Sequence, residues 1–152
     1  MNMELRFYRG RGFLAWLVRF FTHSKFAHVE IVIDGIAFVC RPGMRCGSRW
    51  APEPDGQAHV SVVCDPGFYG RVLEGLGTRY DLWGALRSGT PFGREHPDRW
   101  FCSELAAHVI GLDKPHTWSP KDLAKYYSLD LSLIHISEPT RRHHVSRMPS
   151  SA

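Results

Sequence analysis

The Asp34-Gly35 pair, set between Ala27-His28-Val29-Glu30-Ile31-Val32-Ile33 and Ile36-Ala37-Phe38-Val39-Cys40, constrains this chain more than any other feature. Two runs rich in β-branched residues, joined by two residues that must both take positive φ, predict a type I′ hairpin. Such a turn sets the register. Ile33 then faces Ile36, Ile31 faces Phe38 and Val29 faces Cys40 on one side of the ribbon, while Val32 with Ala37, Glu30 with Val39 and His28 with Arg41 share the other. The first side is wholly apolar and reads as core. The second sets a histidine and a carboxylate two residues apart, on a surface that must meet another element.

Around this hairpin the chain alternates short helices and loops. Phe13 to Phe21 is apolar around most of a helical circumference, which predicts a helix covered by its neighbours. Residues 41 to 57, heavy in Pro, Gly and Arg, read as a long loop, and His59 to Cys64 as a third strand closed by Asp65-Pro66-Gly67. Phe68 to Leu76 reads as a short helix stopped at Gly77. Phe101 to Ile110 reads as a helix ended by Gly111, with Cys102, Leu105, Ala106, Val109 and Ile110 on one stripe. Ser119-Pro120 is an N-cap followed by proline at the first helical position, opening a last helix through Tyr127. For a chain of 152 residues with 43% apolar content, this pattern predicts one α+β domain over residues 1 to 130, a small antiparallel sheet packed against helices.

Composition narrows the function classes. The net charge is +4, but Arg141, Arg142 and Arg147 against Glu138 supply half of it from the C-terminal end, and the remainder is too small to argue for nucleic acid. The apolar run Phe13 to Val18 is interrupted by Arg19 and falls well short of the ~20 residues a membrane span takes, so no stable membrane insertion is expected. It also lacks a small-residue cleavage site after it, and a cytoplasmic protein is the expectation. Cys40, Cys46, Cys64 and Cys102 show no CxxC spacing, which predicts reduced thiols and no disulfide framework. A zinc site from Cys40, Cys46, Cys64 and His59 would fit no common ligand spacing, and no metal or other cofactor is expected.

The C-terminal end stands apart. Leu131 to Arg141 resembles the in-frame translation of a transposase-type sequencing-library adapter, and Ser146 to Ala152 resembles the far end of such an adapter. The two pieces make up 18 of the residues from 131 to 152, with Arg142 to Val145 left between them for a sample index. The resemblance implies an artefactual, disordered tail and a natural chain that continues past Asp130. The other readings are a basic disordered tail or a metal-binding or nucleic-acid-binding arm at His135, His143 and His144.

Chemistry concentrates on two residues. Cys102 opens the Phe101 to Ile110 helix, where unpaired N–H groups and the helix dipole favour a thiolate and lower its pKa from ~8.5. Free cysteine is also among the most buried residue types, so a structural core cysteine is the plain alternative. His28 is a general base if it meets that thiol, and otherwise an edge histidine with an ordinary hydrogen bond. A helix laid across the second side of the hairpin would bring the two together. A third group commonly holds the imidazole; Glu30, on the same side, is the first candidate, with an Arg41–Glu30 cross-strand ion pair as the competing assignment.

His28-Val29-Glu30-Ile31-Val32-Ile33-Asp34-Gly35, then Gly77-Thr78-Arg79-Tyr80-Asp81, then Trp100-Phe101-Cys102-Ser103-Glu104-Leu105 resemble, in that order, the circularly permuted papain-like hydrolases. These form the permuted branch of the NlpC/P60 superfamily, related to YiiX/YaeF-type amidases and more distantly to lecithin retinol acyltransferase. The resemblance spans nearly all of residues 1 to 130 and implies Cys102 as nucleophile, His28 as base, and a cleft lined by the Gly77 to Asp81 segment, with Tyr80 and Asp81 as substrate contacts. The overall pattern also looks like small proteins of bacteriophage or prophage genomes. The substrate class implied is an amide or ester, such as a cell-wall peptide or an acylated small molecule. The sequence departs from related enzymes at the third triad position, where the following strand offers only Val39 or Cys40. That departure supports a second hypothesis, a catalytically silent binding or virion-associated module of the same fold.

Overall fold

The computed structural model describes residues 2–53, 58–88, 90–92 and 95–127. Residues 131 to 152, with their adapter-like text, and the predicted domain end at 128 to 130 lie outside the described residues. The architecture is α+β. A five-stranded antiparallel sheet in the order β4-β3-β2-β1-β5 is built from β1 (Asn2–Tyr8), β2 (His28–Ile33), β3 (Ile36–Val39), β4 (Gly47–Trp50) and β5 (Ala58–Val63). The helices are α1 (Phe13–Thr22), α2 (Phe68–Gly75), α3 (Leu82–Arg87), α4 (Cys102–Ile110) and α5 (Pro120–Tyr126), and a short parallel pair joins β6 (Arg79–Tyr80) to β7 (Arg99–Trp100).

The hairpin forms in the expected register, with Ile31 opposite Phe38, Val32 opposite Ala37 and Ile33 opposite Ile36. Asp34 and Gly35 take φ of 49° and 78°, the left-handed pair that a type I′ turn demands and that glycine adopts without a Cβ clash. Two strands of this sheet were not foreseen. Asn2–Tyr8 runs between β2 and β5, and Gly47–Trp50 emerges from the stretch read as a loop to pair with β3. Period two continues across them: Leu5 lies opposite Ile31 and Phe7 opposite Val29, so Met3, Leu5, Phe7, Val29, Ile31 and Ile33 point to one side.

That side is the core. Phe68 and Val72 of α2, Leu105, Ala106, Ala107 and Val109 of α4, and Leu123 and Ala124 of α5 close over it. Each large apolar side chain buried in this layer stabilises the fold by roughly 1.5–3 kcal/mol. Close helix packing is made by small residues: a Cβ at Gly75 would stand 2.4 Å from Leu105 Cδ1.

Three expectations are corrected here. Helix α4 covers the Val29-Ile31-Ile33 side of the hairpin, not the side of Glu30, because its own apolar stripe is satisfied by the apolar side of the sheet. Helix α1 is not covered by neighbours: Phe13, Leu14, Trp16, Phe20 and Phe21 are exposed, while Val18 and Thr22 face inward. Finally, Cys40 and Cys46 form a disulfide, since the β3–β4 turn brings their Cα atoms to 4.2 Å, and only Cys64 and Cys102 are free thiols. Among the described residues no helix is long and apolar enough to cross a membrane.

Candidate active site

The start of β2 and the start of α4 meet at one end of the sheet. Cys102 is the first residue of α4, a helix of 9 residues ended by Gly111 at φ 86°, and His28 is the first residue of β2. The Cys102 thiol and the His28 imidazole are hydrogen-bond partners, and the backbone N–H groups of Val29 and Ser103 also point to the sulfur. The expected juxtaposition is therefore present, reached around the end of the strand and not across its second side.

Burial alone would push the Cys102 thiol up. The His28 cation, its hydrogen bond and the two backbone N–H groups outweigh that and hold the thiol below its ordinary value. At His28, desolvation opposes the cation, but the sulfur and Glu30 prevail and raise the imidazole to about 9. Each group thus favours the charged form of the other.

Glu30 sits at the centre of a charge cluster on the second side of the sheet. Its carboxylate, fully buried, accepts from His28 Nε2 at 3.2 Å, Arg41 Nη2 at 2.6 Å, Tyr8 Oη at 3.0 Å and Arg49 Nη2 at 2.8 and 2.9 Å. With Nε2 held by Glu30, Nδ1 is the nitrogen left for exchange with the thiol. Burial opposes this carboxylate's charge, and His28, Arg49 and Arg41 reverse the effect, holding it down to about 2. Glu30 makes both of the contacts weighed for it at once, to His28 and to Arg41.

The sequence reading missed Tyr8 and Arg49. Tyr8 lies opposite His28 on β1, and Arg49 lies opposite Ala37 on β4. Ala37 carries only a methyl group and sits between Arg49 and β2, which leaves room for the guanidinium to reach across to Glu30. Once Gly47–Trp50 is known to be a strand, period two finds Arg49; in a loop no periodicity exists to read.

Tyr80 is also at the thiol, with its hydroxyl hydrogen-bonded to Cys102. Burial, then the negative sulfur and Asp81, push its pKa well above the usual phenol value, so it remains a proton donor. Asp81 does not join the cleft. Its Oδ1 accepts from Gly84 N at 2.9 Å as the N-cap of α3, its own N–H donates to the Trp100 carbonyl, and it is buried. The expected substrate contact is corrected to a helix cap, the role that a short carboxylate one residue before a helix most readily takes.

A cavity of about 890 Å³ opens beside the pair. His28, Tyr80 and Arg41 form its inner wall; Leu14, Ala15 and Val18 of α1, with Phe26, form the apolar side. Cys102 does not line it and is 4% exposed, screened behind His28 and Tyr80. Of the alternative metal set, Cys40 and Cys46 are consumed by their disulfide.

No family model matches this chain, and neither does any curated protein or solved structure.

Proposed function

We propose that the protein is a cysteine hydrolase that cleaves an amide or ester through an acyl-enzyme on Cys102. The observation that carries this reading is the buried hydrogen bond between Cys102 and a His28 whose pKa is raised to about 9 and whose Nε2 is held by Glu30. The permuted order of histidine before cysteine, and the resemblance of the three motifs to the NlpC/P60 branch of papain-like hydrolases, support the same assignment.

The thiolate attacks the substrate carbonyl carbon, forming a C–S bond and an oxyanion. The Ser103 N–H at the head of α4 and the protonated Tyr80 hydroxyl are the donors near that charge. On collapse, the C–N or C–O bond breaks and the imidazolium proton passes to the leaving group. His28 then takes a proton from water as it attacks the thioester, and the acid product leaves with the thiolate restored. Transfer to an acceptor other than water uses the same groups.

The burial of Cys102 favours a second reading, a silent binding module in which the thiol is structural. A haloacetamide probe with mass-spectrometric mapping decides between them. Preferential labelling of Cys102 over Cys64 near neutral pH, lost in His28→Ala, is expected for the hydrolase. Labelling of Cys102 no faster than Cys64, or unchanged by His28→Ala, would overturn it.

A further inference from the structure

Helix α1 is inverted for a helix on a folded domain. At 100° per residue, Trp16, Phe20, Phe13, Leu17, Phe21 and Leu14 fall in succession on an arc of about 160°. Five of these six are exposed, Phe13 by 71%, Phe20 by 60% and Trp16 by 50%. The residues turned inward are the small ones, Val18 and Thr22, with Ala15 half-buried. The outward aromatics stack on one another, Phe13 on Trp16 at 5.9 Å and Trp16 on Phe20 at 5.4 Å, so the face is a preformed platform. Helix α3, which packs against α1, carries a further exposed aromatic, Trp83, at 67%. An apolar surface of this size does not normally face water alone.

Its surroundings identify the occupant. From Leu5 to Val29 the chain holds no aspartate or glutamate, while Arg9 and Arg11 precede the helix, Arg19 flanks the apolar arc and Lys25 follows. Arg9, Arg11 and Lys25 are exposed, as is Arg87 at the end of α3. Tryptophan and phenylalanine on one face, bordered by cations without a carboxylate, match the layered chemistry of a bilayer surface, where aromatic rings sit at the headgroup boundary and cations meet anionic phosphate. We infer that α1 seats the protein on the surface of an anionic membrane, lying in the interface plane without crossing it. The arginine-flanked cavity shares Leu14 and the Arg9 to Arg11 turn with this face, so its entrance lies beside the membrane surface.

Co-sedimentation of the full chain with phosphatidylcholine vesicles, and with vesicles that also contain phosphatidylglycerol, tests the assignment. Binding to the anionic vesicles that weakens at high salt is expected, with little on the neutral ones. The triple variant Phe13→Ser, Trp16→Ser, Phe20→Ser, which keeps the same C-terminal residues, should lose about tenfold or more of that partition. A second variant, Arg9→Gln, Arg11→Gln, Lys25→Gln, leaves the apolar face intact and should lose the preference for anionic vesicles. Absence of vesicle binding, or partition untouched by both variants, overturns the inference. A dimer in light scattering that the serine variant dissolves, without vesicle binding, would make a second copy of the chain the occupant and overturn it equally.

Discussion

Glu30 grips His28 from two residues along the same strand, Oε1 to Nε2 at 3.2 Å, while Arg41 and Arg49 neutralise it from the other side. The imidazole is therefore held by a group that cannot take its proton, because a carboxylate kept at about 2 stays charged wherever the thiol chemistry runs. A strand puts i and i+2 on one side at no cost, so this contact was legible in the sequence. Its strength was not, since Arg49 arrives from two strands away.

Replacing Glu30 by Gln should leave the partly exposed Arg41 and Arg49 guanidinium groups without their carboxylate and loosen His28. The expected loss is about 1–2 kcal/mol, the range for hydrogen bonds to a charged group reduced because water screens the two exposed guanidinium groups, read as a lower Tm in a thermal melt. The His28 titration, followed by NMR of its ring protons, should fall from about 9 toward the ordinary imidazole value. An unchanged midpoint would show that Glu30 does not set it.

Alkylation of Cys102 should follow a window in pH. Its thiol is held below the ordinary value of 9.0, so the thiolate forms earlier than in a free cysteine, and the window in which it coexists with the imidazolium closes as His28 loses its proton near 9. Turnover of a model ester should therefore be bell-shaped, with the alkaline limb near 9, and His28→Ala should lower it by about 10²- to 10⁴-fold. Cys64, whose thiol burial and Asp65 push up, should label only at higher pH.

Acid stability should carry the mark of Glu30. Its pKa is depressed in the folded state from 4.5 to about 2, so its contribution is complete above 4.5 and drains away as pH falls toward 2. Chemical denaturation across that range should show this slope in the native protein, and Glu30→Gln should flatten it.

Asp81→Ala tests the cap assignment. Losing the bond to Gly84 N should cost about 1 kcal/mol of stability and leave labelling of Cys102 unaltered. A large change in KM for a model substrate, with little change in Tm, would return Asp81 to the cleft.

Reduction of the Cys40–Cys46 bridge should lower stability by about 2 kcal/mol, the chain-entropy value for so short a loop. Arg41 lies in that loop and bonds Glu30, so the reduced protein should also show a shifted His28 titration.

What the sequence by itself determined is local. Positive φ at Asp34 and Gly35 set the hairpin register, Gly111 and the Ser119-Pro120 cap bounded their helices, and period two placed His28 beside Glu30. These follow from sterics and hydrogen bonds within a few residues, which the residue types carry with them. Tertiary structure alone decided the rest: that Asn2–Tyr8 inserts between β2 and β5, that β4 brings Arg49 to Glu30, that Cys40 meets Cys46, and that α1 turns its aromatics outward. Each depends on which distant segment takes up a hydrogen-bonding edge or an apolar face, a competition among all segments of the chain that no local pattern resolves.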